Sequence, residues 1–211
     1  MKPNTTREIL ERSKGVIEQA FSAQNSSPLV TSLSQDEYKQ NTAYQTMQYG
    51  YAPTQYAETL IAFCDDAICH LSFVQCNKED NLSELKQCWA NTDFTLNNEK
   101  ASVFAKTIFA HQKTPNLLIK GTQLQRDIWQ ALLYIPQGAL CTYQDIANQV
   151  GRPKAVRAVA SAIGANEISY LIPCHRVVGK SGTMNGYRWG IEIKENLLRE
   201  ETNNFAMQYN K

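Results

Sequence analysis

A helix that stops at a glycine and restarts at a proline two residues later has few ways to fold, and this chain carries that pattern between Thr142 and Ile163. Thr142 is a natural N-cap, with Asp145 at the third helical position to complete the cap. Ile146, Ala147 and Val150 supply a buried face, and Gly151 ends the helix. Pro153 then begins a second helix, because its fixed φ suits a first helical residue. Two helices joined by so short a turn form a helix-turn-helix unit. On the second helix Val156, Val159, Ala160 and Ile163 share a face and are expected to pack inward. Lys154, Arg157, Ala158 and Ser161 share the opposite face. Two cations and two small residues suit close approach to a nucleic acid, although alone they describe an ordinary solvated face equally well.

A second segment tips the balance. Ile172-Pro173-Cys174-His175-Arg176-Val177-Val178 sets a thiol beside an imidazole among apolar residues. A single buried cysteine is usually a small core hydrophobe. A cysteine attacks as the thiolate, whose population rises when an imidazole or a cation offsets the charge. The pair is followed by Gly182-Thr183-Met184-Asn185-Gly186-Tyr187-Arg188-Trp189-Gly190, a loop rich in glycine and aromatics. Between Tyr143 and Gly190 the cations Arg152, Lys154, Arg157, Arg176, Lys180 and Arg188 face only Asp145 and Glu167. The excess is concentrated where phosphates would need neutralising, although the net charge of the 211 residues is only +1. These features describe a nucleophile served by a DNA-binding element.

Composition sets the remaining bounds. A hydrophobic content of 43% supports a packed core. No apolar run is long enough to span a bilayer. Met1 to Gln19 is polar where a secretion signal needs an apolar stretch, so a cytoplasmic location is expected. Cys64, Cys69, Cys76 and Cys88 flank His70, but no Cys-x-x-Cys spacing occurs; reduced thiols are expected and no metal. A reactive Cys174 itself calls for a reducing compartment.

The first half reads differently from the second. Thr6 to Phe21 has a helical pattern, followed by the loop signal Asn25-Ser26-Ser27-Pro28. From Thr46 to Val74 the chain reads as strands, with Asp65-Asp66 as the turn between Thr59–Cys64 and Ala67–Val74. Residues 82–90 and 99–111 look helical, and Asn116 to Lys120 is a candidate closing strand. Thr122 and Gln125 form a capping-box pair opening a helix that carries Leu124, Ile128, Ala131 and Leu132. Pro136 and Gly138 mark its end.

Gly121-Thr122, Ile128-Trp129-Gln130-Ala131-Leu132, Ile135-Pro136, Thr142-Tyr143-Gln144, Pro153 to Val159, Ile172 to Val178, Gly186 to Gly190 and Leu197 to Glu201 occur in one order and spacing. In these pieces the run from Gly121 to Glu201 resembles the catalytic domain of the O6-alkylguanine-DNA alkyltransferases, most closely the bacterial adaptive-response branch. The resemblance is weak over 43–120 and nearly vanishes before residue 36. Leu124 departs from it, standing where many members have phenylalanine. The resemblance implies an α+β fold of two domains. Residues 43–120 would form a ribonuclease-H-like α/β domain. Residues 121–203 would form a mostly helical catalytic domain with a winged helix-turn-helix-like element. Residues 1–42 would be an N-terminal extension, to which no function is assigned, and 204–211 a tail.

The implied activity is irreversible, stoichiometric transfer of the alkyl group from O6-alkylguanine in double-stranded DNA to Cys174, by a monomer that docks in the minor groove. His175 would act as base through a water, with Glu201 orienting it. Glu200 competes for that role, but position 201 lies between Leu197 and Leu198 on a helix while 200 turns away. Asn166 falls at the hinge before the active-site segment. Tyr143 would contact base and phosphate, and Arg157 would fill the space left by the flipped nucleotide. Tyr187 would pack on the base with the Arg188 amide near its oxygen, and Thr142, Ser161 and Val177 would complete the DNA and lesion contacts. A cofactor-dependent methyltransferase would want a glycine-rich strand-to-helix loop, and the ten glycines are scattered without one, so no cofactor is expected. A cysteine hydrolase would need oxyanion donors that the sequence does not place. A regulator or lesion-binding homologue would not need Cys174. Alkyl-size preference and activity on O4-alkylthymine are left open.

Overall fold

The computed structural model describes residues 3–23, 30–110, 114–184 and 186–209. The Asn25–Pro28 loop signal lies outside them. Contacts divide the chain into two compact units: residues 28–126 with 167–171, and residues 1–27 with 127–166 and 172–211.

In chain order the helices are α1 (Pro3–Ala23), α2 (Gln35–Gln40), α3 (Lys78–Cys88), α4 (Asn98–Phe109), α5 (Gln123–Leu132), α6 (Tyr143–Gln149), α7 (Val156–Gly164) and α8 (Ile191–Tyr209). The strands are β1 (Val30–Leu33), β2 (Thr46–Pro53), β3 (Glu58–Cys64), β4 (Ala67–Phe73), β5 (Asp93–Leu96), β6 (Asn116–Lys120), β7 (Cys141–Thr142) and β8 (Val177–Val178).

The first unit is built on a six-stranded sheet in the order β1-β6-β4-β3-β2-β5. β2, β3 and β4 form the antiparallel centre expected from the sequence, and β1, β5 and β6 add parallel pairings. Cys64 opposes Ala67, so Asp65-Asp66 is a two-residue hairpin turn. Asp65 has φ 51°, a conformation that aspartate tolerates better than most residues. Leu60, Ile61, Phe63, Ile68, Leu71 and Phe73 are fully buried, as central strands covered on both faces must be. Gly50 lets the start of α4 lie against β2, because a Cβ there would sit 2.5 Å from the Asn97 carbonyl oxygen. β6 is not the closing strand that its position suggested, since β1 pairs beyond it. Residues 167–171 return to this sheet: Leu71 N–H donates to Glu167 O and Ser169 N–H to Leu71 O. Tyr170, at φ 65°, stacks 4.6 Å from Phe109.

The second unit is mostly helical. Both capping boxes read from the sequence form: Thr122 with Gln125, in the sheet unit at the head of α5, and Thr142 with Asp145 at the head of α6. Gly151, at φ 68°, ends the α6 turn as expected. Pro153 does not begin the next helix. Residues 152–155 form a turn closed by Ala155 N–H on Arg152 O, and α7 starts at Val156 without a side-chain cap. Val159 and Ile163 face the core with Ala162, while Val156 and Ala160 are half-buried. Trp129 on α5 ties the pair inward by donating from Nε1 to Ala162 O at 2.8 Å.

The N-terminal residues are not a separate extension. β1 and α2 belong to the sheet unit, whereas α1 is built into the helical unit. Leu10 of α1 packs with Leu140, Val178 and Leu198, joined by Ile9 and Met184. Ser13 Oγ donates to Ile9 O at 2.7 Å and accepts from Leu140 N–H at 3.0 Å. At the other end of the chain α8 runs on to Tyr209, so residues 204–209 continue a helix where a tail was expected.

Candidate active site

Cys174 opens a 3-10 turn, Cys174–Arg176, that follows Pro173 and is closed by Val177 N–H on Cys174 O. One end of the turn is held by β8, where Val177 lies opposite Cys141 of β7. Asn166 holds the other. Its Nδ2 donates to Ile172 O at 3.0 Å and to Cys174 Sγ at 3.1 Å. The hinge residue read from the sequence therefore touches the sulfur itself. Cys174 is 7% exposed, and burial pushes its thiol pKa up. The Asn166 amide, the Lys194 charge and the Tyr187 hydroxyl pull it back without cancelling the shift. At neutral pH the resting group is the thiol, and the nucleophile has to be made.

His175 is fully buried, with Nε2 2.9 Å from Glu201 Oε1. Burial lowers the imidazole pKa. Glu201 opposes the shift, and Arg176 and Lys194 reinforce it. The ring is neutral at rest, and with Nε2–H donated to the carboxylate its basic nitrogen is Nδ1.

Glu201 lies on α8 at 3% exposure and accepts from four donors. Oε1 takes His175 Nε2 and Arg176 Nη2 (2.8 Å); Oε2 takes Arg176 Nε (3.0 Å) and Gly138 N–H (3.3 Å). Burial alone would raise its pKa, but Arg176 and His175 hold it well below the usual carboxylate range. Arg176 also donates from Nη1 to Ile135 O at 2.6 Å. Glu200 is only half-buried, in line with the expected preference for Glu201.

Tyr187 presents its ring edge-on to His175 (centroids 6.5 Å) and Trp189 (5.2 Å). Arg188 donates to the Asn166 carbonyl at 3.2 Å. Tyr143, the first residue of α6, is half-buried, and Arg157 and Ser161 stand exposed on α7 beside the exposed Lys154. Two expected contact residues are placed otherwise. The Thr142 hydroxyl is engaged in its cap, donating to Asp145 Oδ2 at 2.8 Å. The Val177 side chain is fully buried, and its backbone N–H and carbonyl are engaged by Cys174 O and Lys194 Nζ. Among the described residues no group of histidine, cysteine and carboxylate side chains has metal-binding geometry.

Sequence reasoning missed two residues. Arg176, counted among the phosphate-facing cations, points inward and grips Glu201. A carboxylate 25 residues away gives no local signal, although an arginine next to a Cys-His pair is a candidate partner for the acid that orients the histidine. Lys194, on the first turns of α8, is buried at 1% exposure and donates to Val177 O at 2.8 Å.

The site thus sets a buried cysteine next to a neutral histidine that is hydrogen-bonded to a saturated carboxylate, within the same unit as a short-turn helix pair. Residues 123–203 match the 6-O-methylguanine DNA methyltransferase, DNA binding domain family. The bifunctional transcriptional activator/DNA repair enzyme Ada of Escherichia coli K12 is 38% identical over 164 residues, covering 75% of this chain and 46% of that protein. The inducible methylated-DNA–protein-cysteine methyltransferase of Bacillus subtilis is 54% identical over 78 residues, covering 37% of this chain and 44% of that protein. The chain thus spans under half the length of these curated relatives. The crystal structure of Mycobacterium tuberculosis O6-methylguanine methyltransferase superposes with a TM-score of 0.62 at 30% identity, over 74% of this chain and 93% of that one. The chain belongs to the O6-methylguanine-DNA methyltransferase family.

Proposed function

We propose that this chain repairs DNA by direct reversal, moving the alkyl group of O6-alkylguanine onto Cys174 Sγ. The observation that carries the reading is the Cys174–His175–Glu201 arrangement, with Asn166 on the sulfur, in the unit that also presents α6 and α7. The thiol proton passes to His175 Nδ1 through a water, and the imidazolium is stabilised by Glu201. The thiolate attacks the alkyl carbon, the C–O6 bond breaks, and its electron pair leaves with the purine. Guanine takes up one proton, so the S–H and C–O bonds are exchanged for S–C and a restored base. Relatives named methylated-DNA–protein-cysteine methyltransferase, and a structural neighbour described as a Mycobacterium tuberculosis OGT in complex with DNA, support the substrate class.

In this reading residues 43–120 are a ribonuclease-H-like scaffold and α6–α7 a winged helix-turn-helix-like element that docks in the minor groove of duplex DNA as a monomer. The lesion is flipped into a pocket walled by Tyr187 and the Arg188 amide, while Tyr143 contacts the base and phosphate. Ser161 lines the approach of the backbone. The test is transfer of a labelled methyl group from an O6-methylguanine duplex, followed by peptide mapping. Label on Cys174, absent in Cys174→Ala, is the expected result; label elsewhere or none overturns the reading.

Arg157, exposed on α7, is assigned the place of the flipped nucleotide. Extrusion costs roughly a few kcal/mol, part of which an inserted arginine offsets through hydrogen bonds to the orphaned base. Arg157→Ala should therefore slow repair in duplex DNA by about 10-fold or more and leave transfer from free O6-alkylguanine nearly unchanged. Equal losses on both substrates would remove that role from Arg157.

A further inference from the structure

The Cys174 turn rests on a ladder of two residue pairs, Cys141 with Val177 and Thr142 with Val178. A two-stranded pairing is marginal in water even as a full hairpin, so this ladder needs support from elsewhere. The contacts lead to α1, which lies outside the residues 123–203 that match the family domain. Its buried face is Thr6, Leu10, Ser13 and Ile17, a helical stripe in which two of the four residues carry hydroxyls. Ser13 Oγ accepts the Leu140 N–H at 3.0 Å, next to Cys141 at the head of β7. Leu140 is 1% exposed, so without that hydroxyl its donor would lose its acceptor away from water. Leu10 meets Val178 at the end of β8 and Leu198 of α8, which stands one turn before Glu201. Met184, three residues before Tyr187, joins the same cluster. At Gly182, with φ 79°, a Cβ would lie 3.0 Å from the Arg7 backbone nitrogen, so the head of α1 also lies hard against this loop.

We propose that α1 is a positioning element of the active site, with Ser13 and Leu10 as its positioning residues. It fixes the β7–β8 ladder against α8 and against the loop that leads to Tyr187. It thereby sets where Cys174 Sγ stands relative to His175 and the entering base. The proposal deepens the repair reading and rests on it for the substrate. Displacement at a saturated carbon needs sulfur, carbon and leaving oxygen in line, and a misplacement of about 1 Å caused far from the chemistry can cost about 100-fold in rate. A helix that touches three segments bearing site groups is well placed to hold that alignment.

Two readouts on the full chain test it. The first is native-state hydrogen exchange without DNA, following the amides of Leu140 and of Val177, which closes the Cys174 turn. Ser13→Ala should speed their exchange by about 10-fold relative to the amides of α7, whereas a general loss of stability would speed all of them alike. The second is single-turnover methyl transfer from a saturating O6-methylguanine duplex, counted per folded molecule. Ser13→Ala should slow it by about 10-fold with DNA affinity unchanged, and Ser13→Thr, which keeps the hydroxyl, should restore both readouts. If Ser13→Ala does not fold, Gly182→Ala disturbs the same seat from the loop side and should slow transfer likewise. Uniform changes in exchange, or transfer at the wild-type rate in the folded variants, overturn the proposal. If the wild-type chain moves no methyl group to Cys174, the repair reading falls, while the exchange comparison still decides whether α1 holds the turn. The two failures are therefore distinguishable.

Discussion

Glu201→Gln should be among the most damaging single changes in the helical unit, lowering both stability and the rate of alkylation. The carboxylate accepts from four donors while nearly excluded from water. A carboxamide can accept on one atom only, and its NH2 would be forced against Arg176 or His175. Breaking a buried ion pair by removing one partner costs about 3–5 kcal/mol. Once His175 loses its orienting acceptor, proton transfer from the thiol should fall by roughly the 10²- to 10⁴-fold typical of general base catalysis, and a loss of that order in rate is expected. Glu200→Gln, on the half-buried neighbour, should change little. Chemical unfolding together with the pH dependence of thiol alkylation checks both, and the reverse ranking would hand the orienting role to Glu200.

The same residue sets an acid limit. Its folded pKa lies below the unfolded value, so the stabilisation is fully present above about pH 4.3, the ordinary value for glutamate. It is lost as pH falls towards the depressed folded value, because the unfolded chain then binds the proton more tightly.

The second large effect is that the protein should stop after one turnover. Transfer to Cys174 makes a thioether, and no hydrolytic route returns an alkyl thioether to thiolate under mild conditions. Cys141 cannot act as a relay: it is buried on β7, and its thiol is held neutral. With excess O6-methylguanine duplex, product should plateau at one mole per mole of protein. The intact mass should rise by one methyl group, mapped to Cys174. Sustained turnover, or methyl on any other cysteine, would exclude the suicide mechanism.

Local rules make much of this architecture legible in the sequence. Thr142 with Asp145 and Thr122 with Gln125 are caps whose partners lie three residues apart, and both form as expected. The hairpin around Asp65-Asp66 is equally local. Glu201 is separable from Glu200 because helical geometry alone decides which of two neighbours turns inward. The features that stay hidden depend on distant partners. β1 and β5 are four-residue strands that acquire their identity from β6 and β2. Arg176 and Lys194 look like ordinary surface cations until the fold brings Glu201 and Val177 to them. Pro153 misleads because a residue suited to start a helix also suits a turn, and here Arg152 O captures the Ala155 N–H first.

The seat of α1 bears on how the chain comes to be folded. Its partners Leu140, Val178 and Leu198 are translated long after Leu10, with the whole six-stranded sheet encoded in between. At ribosomal speeds of about 5–20 residues per second the helix waits on the order of ten seconds for its groove to exist. During that interval the apolar stripe of Leu10 and Ile17 has no native surface to cover it. The helical unit is therefore a late-closing, high-contact-order structure in which α1 meets its partners only once residue 198 has been made, while β1 to β6 can already pair. Nascent-chain holdases and crowding by other unfinished chains should act on this stretch during that interval.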